Sequence, residues 1–529
     1  MIPASRLVSL VLIVAMLGGC TGRTSQARTP AKSEVATESG GRTFYVDPGL
    51  TTASCRTYSV SGRNCSGGTA LAYRDLNSAS GAALPGDTIL VRGGTFSTQF
   101  APRRSGAQGA PITFKAYPNE TVTITDVSEQ ALYIIGESYL ALDGFTISDV
   151  TAWARIEGSN NITIENSTFL RARSRGTTGS IKFVSSHHNR LLNNVIEGGN
   201  DNVYLQDSNY NLIQGNTIRM GRHTLLNISC GNYNVVRGNT FHNEIQKAGE
   251  VYDCEGAVRN QPVRLDATKR NLWENNRFTY TRGSKSPHRY NGIQFAGQNG
   301  IVRRNVFYDN QGGGLRVAHY SEEALYVYGN RIYNNTFYGN RCYGLSTDPD
   351  SDSARYYDND LRNNLHYRNT DCSGGPKQMA NDNAAANTST KNTLFTTSPG
   401  FVDEAGRDFR LAPGSAAIDT GAFLTTTTAA GSGTSLKVAD ARYFFDGFGI
   451  AGELGDTIQL QRSRTRARVV GIDYATNTLT LDVSLTWAGG EGVALAFGGI
   501  APDVGAYESE PPAPQPKGMR AKTSRTPKT

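Results

Sequence analysis

Residues 211–218 read Asn-Leu-Ile-Gln-Gly-Asn-Thr-Ile, and this phrase decides the fold. It consists of a turn-forming Asn, a few residues, and then Asn, one residue and an apolar residue. The phrase occurs eight times, in steps of 28, 22, 23, 37, 29, 30 and 29 residues, with the first copy offset by one. Such a period is typical of a solenoid, in which each repeat buries its apolar side only by stacking on its neighbours. The eight copies begin at Asn166, Asn194, Asn216, Asn239, Asn276, Asn305, Asn335 and Asn364.

The repeats consist of strands and turns. They combine alternating apolar residues with β-branched residues and many Gly, Asn and Asp, whereas a helical repeat would space its apolar residues by about 3.6. Asn recurring at one turn favours a ladder of stacked amides, each bonded to the coils on either side. The sequence therefore predicts an all-β solenoid in which these residues form one column: Asn194, Asn216, Asn239, Asn276, Asn305 and Asn335.

The N-terminus has the features of a lipoprotein signal. An apolar run from Leu7 to Leu17 is too short to span a bilayer comfortably and fits a secretory signal. It leads into Gly18-Gly19-Cys20, which resembles the bacterial lipobox. By that resemblance residues 1–19 are removed and Cys20 is lipidated; the alternative is an ordinary signal with a chance cysteine. Thr21 is not an acidic retention residue, so the resemblance implies secretion across the inner membrane and anchoring at the outer membrane or cell surface.

Both ends of the chain are basic. Residues 20–42 are polar and predict a flexible tether, and residues 510–529 predict a disordered, Pro-rich tail. Residues 1–33 and 511–529 supply nine Lys and Arg and no acid, so the net charge of +7 leaves about −2 for the rest. We therefore expect no nucleic acid partner, and contact with a membrane only through the lipid anchor.

The remaining six cysteines can pair in an oxidising compartment. Proximity in sequence favours three disulfides among the several connectivities that are possible. A cysteine metal site is not indicated, because the chain has no Cys-x-x-Cys pair and no His at ligand spacing. The favoured pairs are Cys55 with Cys65, Cys230 with Cys254, and Cys342 with Cys372.

The character of the chain changes after residue 421. Residues 43–421 carry the strand-and-turn repeats and end in a closing segment, Pro399–Gly421. The Asn phrase then stops, and strand-like pieces in residues 422–500 predict a small β module of about 75 residues. Residues 501–509 return to the main body.

Three sets of motifs resemble those of a known family. The first runs from Tyr45 through Gly86-Asp-Thr-Ile89 to Gly94-Thr95 at the beginning of the fold, the second is the Asn repeats, and the third is the sequence PGF…DFRL…GSAAID…GAYE at its end. They resemble secreted proteins of the pectate-lyase-like superfamily, in particular the branch with chondroitinase B and alginate lyases. The resemblance covers roughly residues 43–421 and 501–508. It implies a single-stranded right-handed parallel β-helix with the module inserted near the C-terminus. It defines no activity, because this fold hosts lyases, hydrolases, epimerases and proteins without known chemistry.

One strand can be followed through successive coils by counting eleven residues back from each ladder Asn. Side chains alternate along a strand, so the residues between its apolar positions point outward. With about 4.8 Å between coils, six such residues form a stripe roughly 24 Å long. Three cations with amides and a Tyr would suit an anionic glycan; the alternative is an ordinary solvated face. The outward residues are Lys182, Tyr204, Asn227, Arg264, Gln294 and Arg316, and Asp201, Asp207, His223, Asp266 and His319 flank them.

Elimination from a uronate needs a base for the C5 proton and a positive charge for the developing carboxylate anion. Lys182, with Arg264 or Arg316, could serve by residue type. The family's lyases instead carry Lys before a Ser-Cys, then Arg-His one coil later. Here Ile228 precedes Ser229-Cys230, and residues 263–266 contain no His. The family's catalytic pair therefore does not carry over.

Other chemistries find weaker support. Hydrolysis needs clustered carboxylates; Asp201, Asp207 and Asp266 are candidates, but the family's paired-Asp phrases are missing. Asp348-Pro349-Asp350 lacks the His of the epimerase signature and predicts a turn. His223, near Asp201, is a candidate acid–base group, although a turn His that binds a backbone carbonyl is commoner.

No cofactor is certain. Glu250, Asp253 and Glu255 are candidate Ca²⁺ ligands, but their spacing is not that of a Ca²⁺ loop and a solvated acidic loop explains them more simply.

The sequence thus favours a monomeric cell-envelope protein that binds, and by lyase-type β-elimination cleaves, an acidic polysaccharide. The assigned catalytic residues are Lys182, His223 and Arg264, and the assigned substrate-binding residues are Tyr204, Asn227, Asp266, Arg316 and His319. The alternative is a non-catalytic glycan- or envelope-binding lipoprotein.

Overall fold

The fold is a parallel β-helix, as predicted. The computed structural model describes residues 41–174, 181–242, 250–251, 269–280, 291–318, 326–347, 356–381, 387–463 and 465–509. Three parallel sheets, called here faces one, two and three, run along the solenoid. Their strands are short because a turn follows every few residues.

Face one has fifteen strands. The first two, at the N-terminal end, pair antiparallel with each other, and the others pair in parallel. In spatial order they are Ser54–Tyr58, Ala70–Tyr73, Thr43–Val46, Thr88–Val91, Ile112–Ala116, Leu140–Asp143, Ile162–Glu165, Arg190–Leu192, Leu212–Gln214, Val235–Arg237, Leu272–Glu274, Ile301–Arg303, Arg331–Tyr333, Asp360–Arg362 and Thr388–Thr390.

Face two has twelve parallel strands. They are Gly94–Phe96, Val122–Thr125, Phe145–Ser148, Thr168–Leu170, Val195–Glu197, Thr217–Arg219, Thr240–His242, Arg277–Thr279, Val306–Tyr308, Thr336–Tyr338, Leu365–Tyr367 and Thr393–Phe395.

Face three consists of two groups of five strands. The first group is Gln130–Ile135, Ala152–Glu157, Ile181–Val184, Asp201–Gln206 and Thr224–Ser229. The second is Glu250–Val251, Ile293–Phe295, Leu315–Val317, Leu345–Thr347 and Met379–Asn381. The strand pair Val327–Tyr328 and Tyr356–Tyr357 lies beside the later coils.

The predicted Asn ladder is confirmed. At Asn276, the backbone N donates to Asn305 Oδ1 at 2.9 Å, and the side-chain Nδ2 donates to the same atom at 3.0 Å and to Val236 O at 2.8 Å. The same pattern runs from Asn194 to Asn364 and ends on Asn392. Asn166 is not a member; Ser167 takes its place and donates its backbone N to Asn194 Oδ1 at 2.9 Å. The ladder satisfies polar groups inside the turns, which would otherwise cost stability.

The interior is a continuous stack of apolar side chains. On face two the stack becomes a column of aromatic rings at centroid distances of 4.7–4.9 Å. Its members are Phe241, Phe278, Phe307, Phe337 and His366. His366 is fully buried, and neither ring nitrogen has a hydrogen-bond partner. Burial lowers the pKa of His366 to about 3, so the ring is neutral at pH 7.

The N-terminal end of the solenoid carries the helix Leu76–Ala82, which Asp75 caps by accepting a hydrogen bond from Ser78 N. Disulfides join Cys55 to Cys65 and Cys342 to Cys372, two of the pairs that proximity favours. Cys230 is also disulfide-bonded; Cys254, its favoured partner, lies outside the described residues, as does Cys20. No helix of the described residues is long and apolar enough to cross a membrane.

Residues 422–500 contain an antiparallel sheet of six strands, called here the module. A bridge between Thr427 and Val438 joins its two edge strands, so the sheet closes on itself. In spatial order the strands are Thr425–Thr426, Gly492–Leu495, Thr457–Leu460, Arg466–Asp473, Thr478–Trp487 and Gly431–Lys437.

The module packs on the outer surface of face one. Leu212, Val235, Leu272 and Ile301 share one apolar cluster with the core of the module. Around this cluster Arg303 pairs with Asp456 of the module at 2.6 Å and with Glu274 of its own face at 2.7 Å. The later coils of face one are therefore covered.

The end of face two is covered as well. The hairpin Phe401–Asp403 and Asp408–Leu411 packs its aromatic side chains on this face, in a cluster that includes Tyr308 and Tyr338. Residues 501–509 then return to the solenoid, where Ala506 N donates to Thr336 Oγ1 at 2.9 Å. Among the described residues, the apolar clusters of the module and of this hairpin include no residue from the strands of face three.

Candidate functional site on face three

The outward residues of face three form columns because consecutive strands pair in register. Lys182 is aligned with Tyr204, and Tyr204 with Asn227. On the later coils Gln294 is aligned with Arg316. The inward residues beside them, such as Leu205 and Leu315, are fully buried, so the alternation read from the sequence is correct.

The column begins two coils earlier than the sequence analysis placed it. Arg155 is aligned with Lys182, and Tyr133 with Arg155. Sequence reasoning missed both because it counted from ladder Asn residues, and these coils precede Asn194. The alternating pattern Leu132-Tyr133-Ile134 was the available signal, since Leu132 and Ile134 are buried and Tyr133 is 37% exposed.

The sequence placed Arg264 in the column next to Gln294, but the described strand that pairs with Gln294 is a different one. The strand that pairs with Ile293–Phe295 is Glu250–Val251, with Glu250 opposite Gln294. Counting back from Asn276 failed because this long coil carries its extra residues after the strand of face three. Counting forward finds it, since Glu250 follows Asn239 by the same eleven residues that separate Asn227 from Asn216. Arg264, Asp266 and His319 lie outside the described residues.

Burial varies along the column. Tyr204, Asn227 and Gln294 are at most 9% exposed, whereas Lys182 and Arg316 are part-exposed. Lys182 Nζ lies 5.0 Å from the centroid of the Tyr204 ring, a cation–π contact that orients the amine across the face. Arg155 is held by Glu157 at 2.6 Å. Lys182 and Arg155 are thus each positioned by a neighbour on the same sheet.

His223 and Asp201 form a hydrogen-bonded pair at the start of two adjacent strands. His223 Nδ1 lies 2.6 Å from Asp201 Oδ1. The same oxygen accepts Thr224 N at 3.1 Å and Thr224 Oγ1 at 2.7 Å. The Asp201 side chain is 3% exposed and that of His223 is 45% exposed.

This geometry orients the imidazole. An ionised carboxylate only accepts hydrogen bonds, so Nδ1 of His223 carries the proton that it shares with Asp201. In the neutral ring Nε2 is then the basic nitrogen. The arrangement is that of a His–Asp pair in which the carboxylate fixes the tautomer of a general base.

The His223–Asp201 pair is separate from the centre of the column. His223 precedes Asn227 by four residues along the strand, which is about 13 Å. Asp207 lies beyond the other end of the strand of Asp201, six residues away or about 20 Å. The two aspartates therefore do not form the carboxylate cluster that hydrolysis would use. Among the described residues, no three acidic, His or Cys side chains form a candidate metal site.

Comparison with known proteins identifies the fold region. Residues 120–260 and 247–365 match the family model described as "Right handed beta helix region". Over 133 residues the chain is 29% identical to the uncharacterized protein YwoF of Bacillus subtilis (strain 168). That match covers 24% of this chain and 26% of YwoF, so it spans about a quarter of the relative's length.

Several solved structures resemble the chain at low identity. Pectate lyase Pel9A is 14% identical with a TM-score of 0.47, over 89% of this chain and 97% of that one. The PL6 family polysaccharide lyase Pedsa3628 from Pseudopedobacter saltans is 15% identical with a TM-score of 0.41, over 61% of this chain and 92% of that one. A rhamnogalacturonan lyase is 16% identical with a TM-score of 0.39, over 69% of this chain and 91% of that one. Similarity at this level carries no assignment of activity.

Proposed function

We propose that this protein binds an acidic, uronate-containing polysaccharide along face three and acts on it by lyase-type β-elimination. The observation that supports binding most directly is the column of outward cationic, amide and aromatic side chains, aligned in register on a face that shares no apolar cluster with the described residues of the module.

The geometry of the column suits a polymer. Successive coils lie about 4.8 Å apart, so Tyr133, Arg155, Lys182, Tyr204 and Asn227 span roughly 19 Å. The cations stand on different coils, and each would meet a different carboxylate along a glycan chain. Aromatic side chains offer apolar faces for sugar rings, and amides bind hydroxyl groups.

For catalysis, His223 is the better base by geometry. Asp201 fixes its tautomer, and the part-exposed ring can direct Nε2 to a bound sugar. In the elimination Nε2 takes the C5 proton, the electrons of that C–H bond form the C4–C5 double bond, and the C4–O bond breaks with the proton going to the departing oxygen. Lys182 lies about 13 Å away along the strand direction and about 10 Å away across two coils, and would bind a neighbouring sugar carboxylate.

A non-catalytic glycan-binding lipoprotein is the second candidate. It is favoured by that same separation, which leaves Lys182 unable to stabilise the charge that His223 would generate. Ile228, which is fully buried, also occupies the position of the lyase family's Lys.

The binding test compares two triple variants of equal charge. Arg155, Lys182 and Arg316 to Ala removes the cations of face three, and Arg171, Arg219 and Arg410 to Ala removes three exposed arginines that pair with acids elsewhere. We expect the first variant to lose binding to alginate or pectate and to flatten its salt dependence, measured by calorimetry, while the control retains both. If the two variants bind the polysaccharide equally, with the same salt dependence, the binding site does not lie on face three.

The catalytic test uses the ultraviolet absorbance of the unsaturated uronates that elimination produces, with and without Ca²⁺. His223→Ala should lower turnover by about 10²–10⁴-fold with little change in binding. Absence of turnover by the parent protein on alginate, pectate and glycosaminoglycans, with binding intact, would select the non-catalytic candidate.

We also propose that Cys20 anchors the mature protein to the outer membrane or cell surface, on the strength of the lipobox-like sequence. Mass spectrometry should find an acylated Cys20 at the new N-terminus, and Cys20→Ser should release the protein from the membrane fraction. An unmodified Cys20 within an uncleaved chain would contradict the anchor.

A further inference from the structure

A cleft lies between the β-helix and the module, at the corner where face one turns into face two. It has a volume of about 360 Å³, and its lining includes Asn275, Arg304, Arg466, Phe497, Tyr507 and Glu508. A second cleft of about 390 Å³ continues from it and shares Asn275 and Arg304. The module therefore creates a concave surface that the solenoid alone does not have.

Two arginines give the cleft its positive charge. Arg466 is tied to the module by hydrogen bonds from Nε to Gln459 Oε1 at 3.2 Å and from Nη2 to Phe497 O at 3.1 Å. Arg304 is half-buried, and among the described residues its guanidinium has no hydrogen-bond or salt-bridge partner. The guanidinium of the neighbouring Arg303, in contrast, forms salt bridges with Glu274 and Asp456.

The backbone at Arg304 is left-handed, as it is at several other turns of the solenoid. Arg304 has φ 53 at the bend that precedes the ladder Asn. Gly215 and Gly238 stand at the same bend in earlier coils, and Asn193, Asn275 and Asn334 in others. These residue types tolerate the left-handed region, whereas Arg pays a small strain cost there. Arg171, Arg270 and Arg368 have the same left-handed backbone at other turns, so it is the side chains of the cleft, and not this backbone, that indicate a site.

Glu508 supplies a carboxyl group at the same cleft. It accepts hydrogen bonds from Gly498 N and Asp503 N, each at 3.2 Å. Burial, followed by the charge of Asp503, raises its pKa to about 7. Near neutral pH this carboxyl is therefore partly protonated, so it can exchange hydrogen bonds with a sugar hydroxyl without fully repelling an anion.

We propose that this cleft binds a carboxylate-bearing saccharide of one or two sugar units, at a site separate from face three. Arg304 and Arg466 present guanidinium forks that match a carboxylate. Tyr507, which is part-exposed, offers ring surface for a sugar face, and Asn275 and Glu508 offer hydroxyl partners. The proposal does not depend on the proposed function, because the cleft lies where face one turns into face two, whereas the polysaccharide is proposed to bind on face three.

The experiment is calorimetry of the full-length protein with digalacturonate as the probe, repeated in the face-three triple variant. We expect the face-three triple variant to retain a digalacturonate site. The combined Arg304→Gln and Arg466→Gln substitutions should lower the affinity of that site by about tenfold or more. Arg468→Gln is the matched control, because Arg468 lies on the same strand, Arg466–Asp473, outside the lining of the cleft. Its affinity should stay at the parent value.

Three results would overturn the proposal. They are unchanged affinity in the double variant, equal loss in the Arg468 control, and inorganic sulfate that competes as tightly as digalacturonate, since the saccharide would then contribute nothing. Thermal melts monitored by circular dichroism establish that the double variant is folded; if it is not, Arg304→Gln alone, which breaks no hydrogen bond of the described residues, decides the outcome in the same way.

Discussion

Face one and face three place cations at equivalent outward positions of the same kind of strand, yet those cations contact different partners. On face one Arg237, Glu274 and Arg303 are aligned in register, so opposite charges alternate along the column. The column is neutralised and then covered by the module, and the side chain of Arg303 is only 2% exposed. On face three Lys182 and Arg316 stand in columns of amide and aromatic side chains and remain part-exposed.

The difference shows that an outward polar residue does not by itself identify a binding surface. Desolvating a charge is costly unless an opposite charge compensates it. Alternating signs therefore allow a surface to be buried within the protein, whereas part-exposed cations beside amide and aromatic side chains suit an anionic ligand from outside. Of the four predictions that follow, the first and the last test this contrast directly.

The largest effect should come from the covered side. Arg303→Ala leaves Glu274 and Asp456 buried without this partner, and we expect a loss of about 3–5 kcal/mol in the free energy of unfolding. Lys182→Ala on face three is the control and should change it by less than about 1 kcal/mol. Urea unfolding measures both. Similar values for the two substitutions would remove the contrast between the faces.

A second effect concerns acid. His366 has a pKa of about 3 in the folded protein against 6.5 for an ordinary His, so unfolding takes up a proton below pH 6.5. Stability should therefore fall by about 1.4 kcal/mol per pH unit as the pH decreases from 6.5 towards 3. His366→Phe would extend the Phe column and should abolish this slope, as measured by thermal melts between pH 7 and 5.

At lower pH a further loss should follow on face one. Burial alone would raise the pKa of Glu274, but Arg303 and Arg237 outweigh it and hold the pKa below its usual 4.5. The stability from this carboxylate is present above pH 4.5 and is lost as the pH falls through the lowered value. A slope between pH 6.5 and 5 that persists in His366→Phe would show that other groups control the acid response.

The smallest effect should come from a single cation of face three. Arg316→Ala should weaken polysaccharide binding by about 0.2–1 kcal/mol, because a part-exposed charge is screened by solvent. The change should shrink as salt is added, since the Debye length falls from about 10 Å at 0.1 M to about 3 Å at 1 M. A salt-independent loss would indicate that Arg316 acts through packing, and the comparison of the faces would need revision.

Much of the solenoid was readable from the sequence because its signals are local and repeated. The spacing of Asn194, Asn216 and Asn239 predicted a column, and each amide bonds to the next coil as expected. Failures occurred where a coil departs from the common length. The count from Asn276 led to Arg264, whereas Glu250 stands opposite Gln294, because a count from one Asn cannot tell on which side of a strand extra residues lie. The phrase at Asn166 is offset by one residue, and Ser167 makes the hydrogen bond of the ladder there.

The sequence by itself determined the repeat, the strand alternation and the ladder. These features depend on residues within one coil and on the recurrence of the same residue pattern in the next coil. Only the tertiary structure decided that the module covers face one, that Asp201 orients His223, and that Arg304 and Arg466 line one cleft. Arg304 and Arg466 are 162 residues apart in the chain. No local sequence pattern indicates such a contact, since it forms only when the module packs on the β-helix and water is removed from the charges between them.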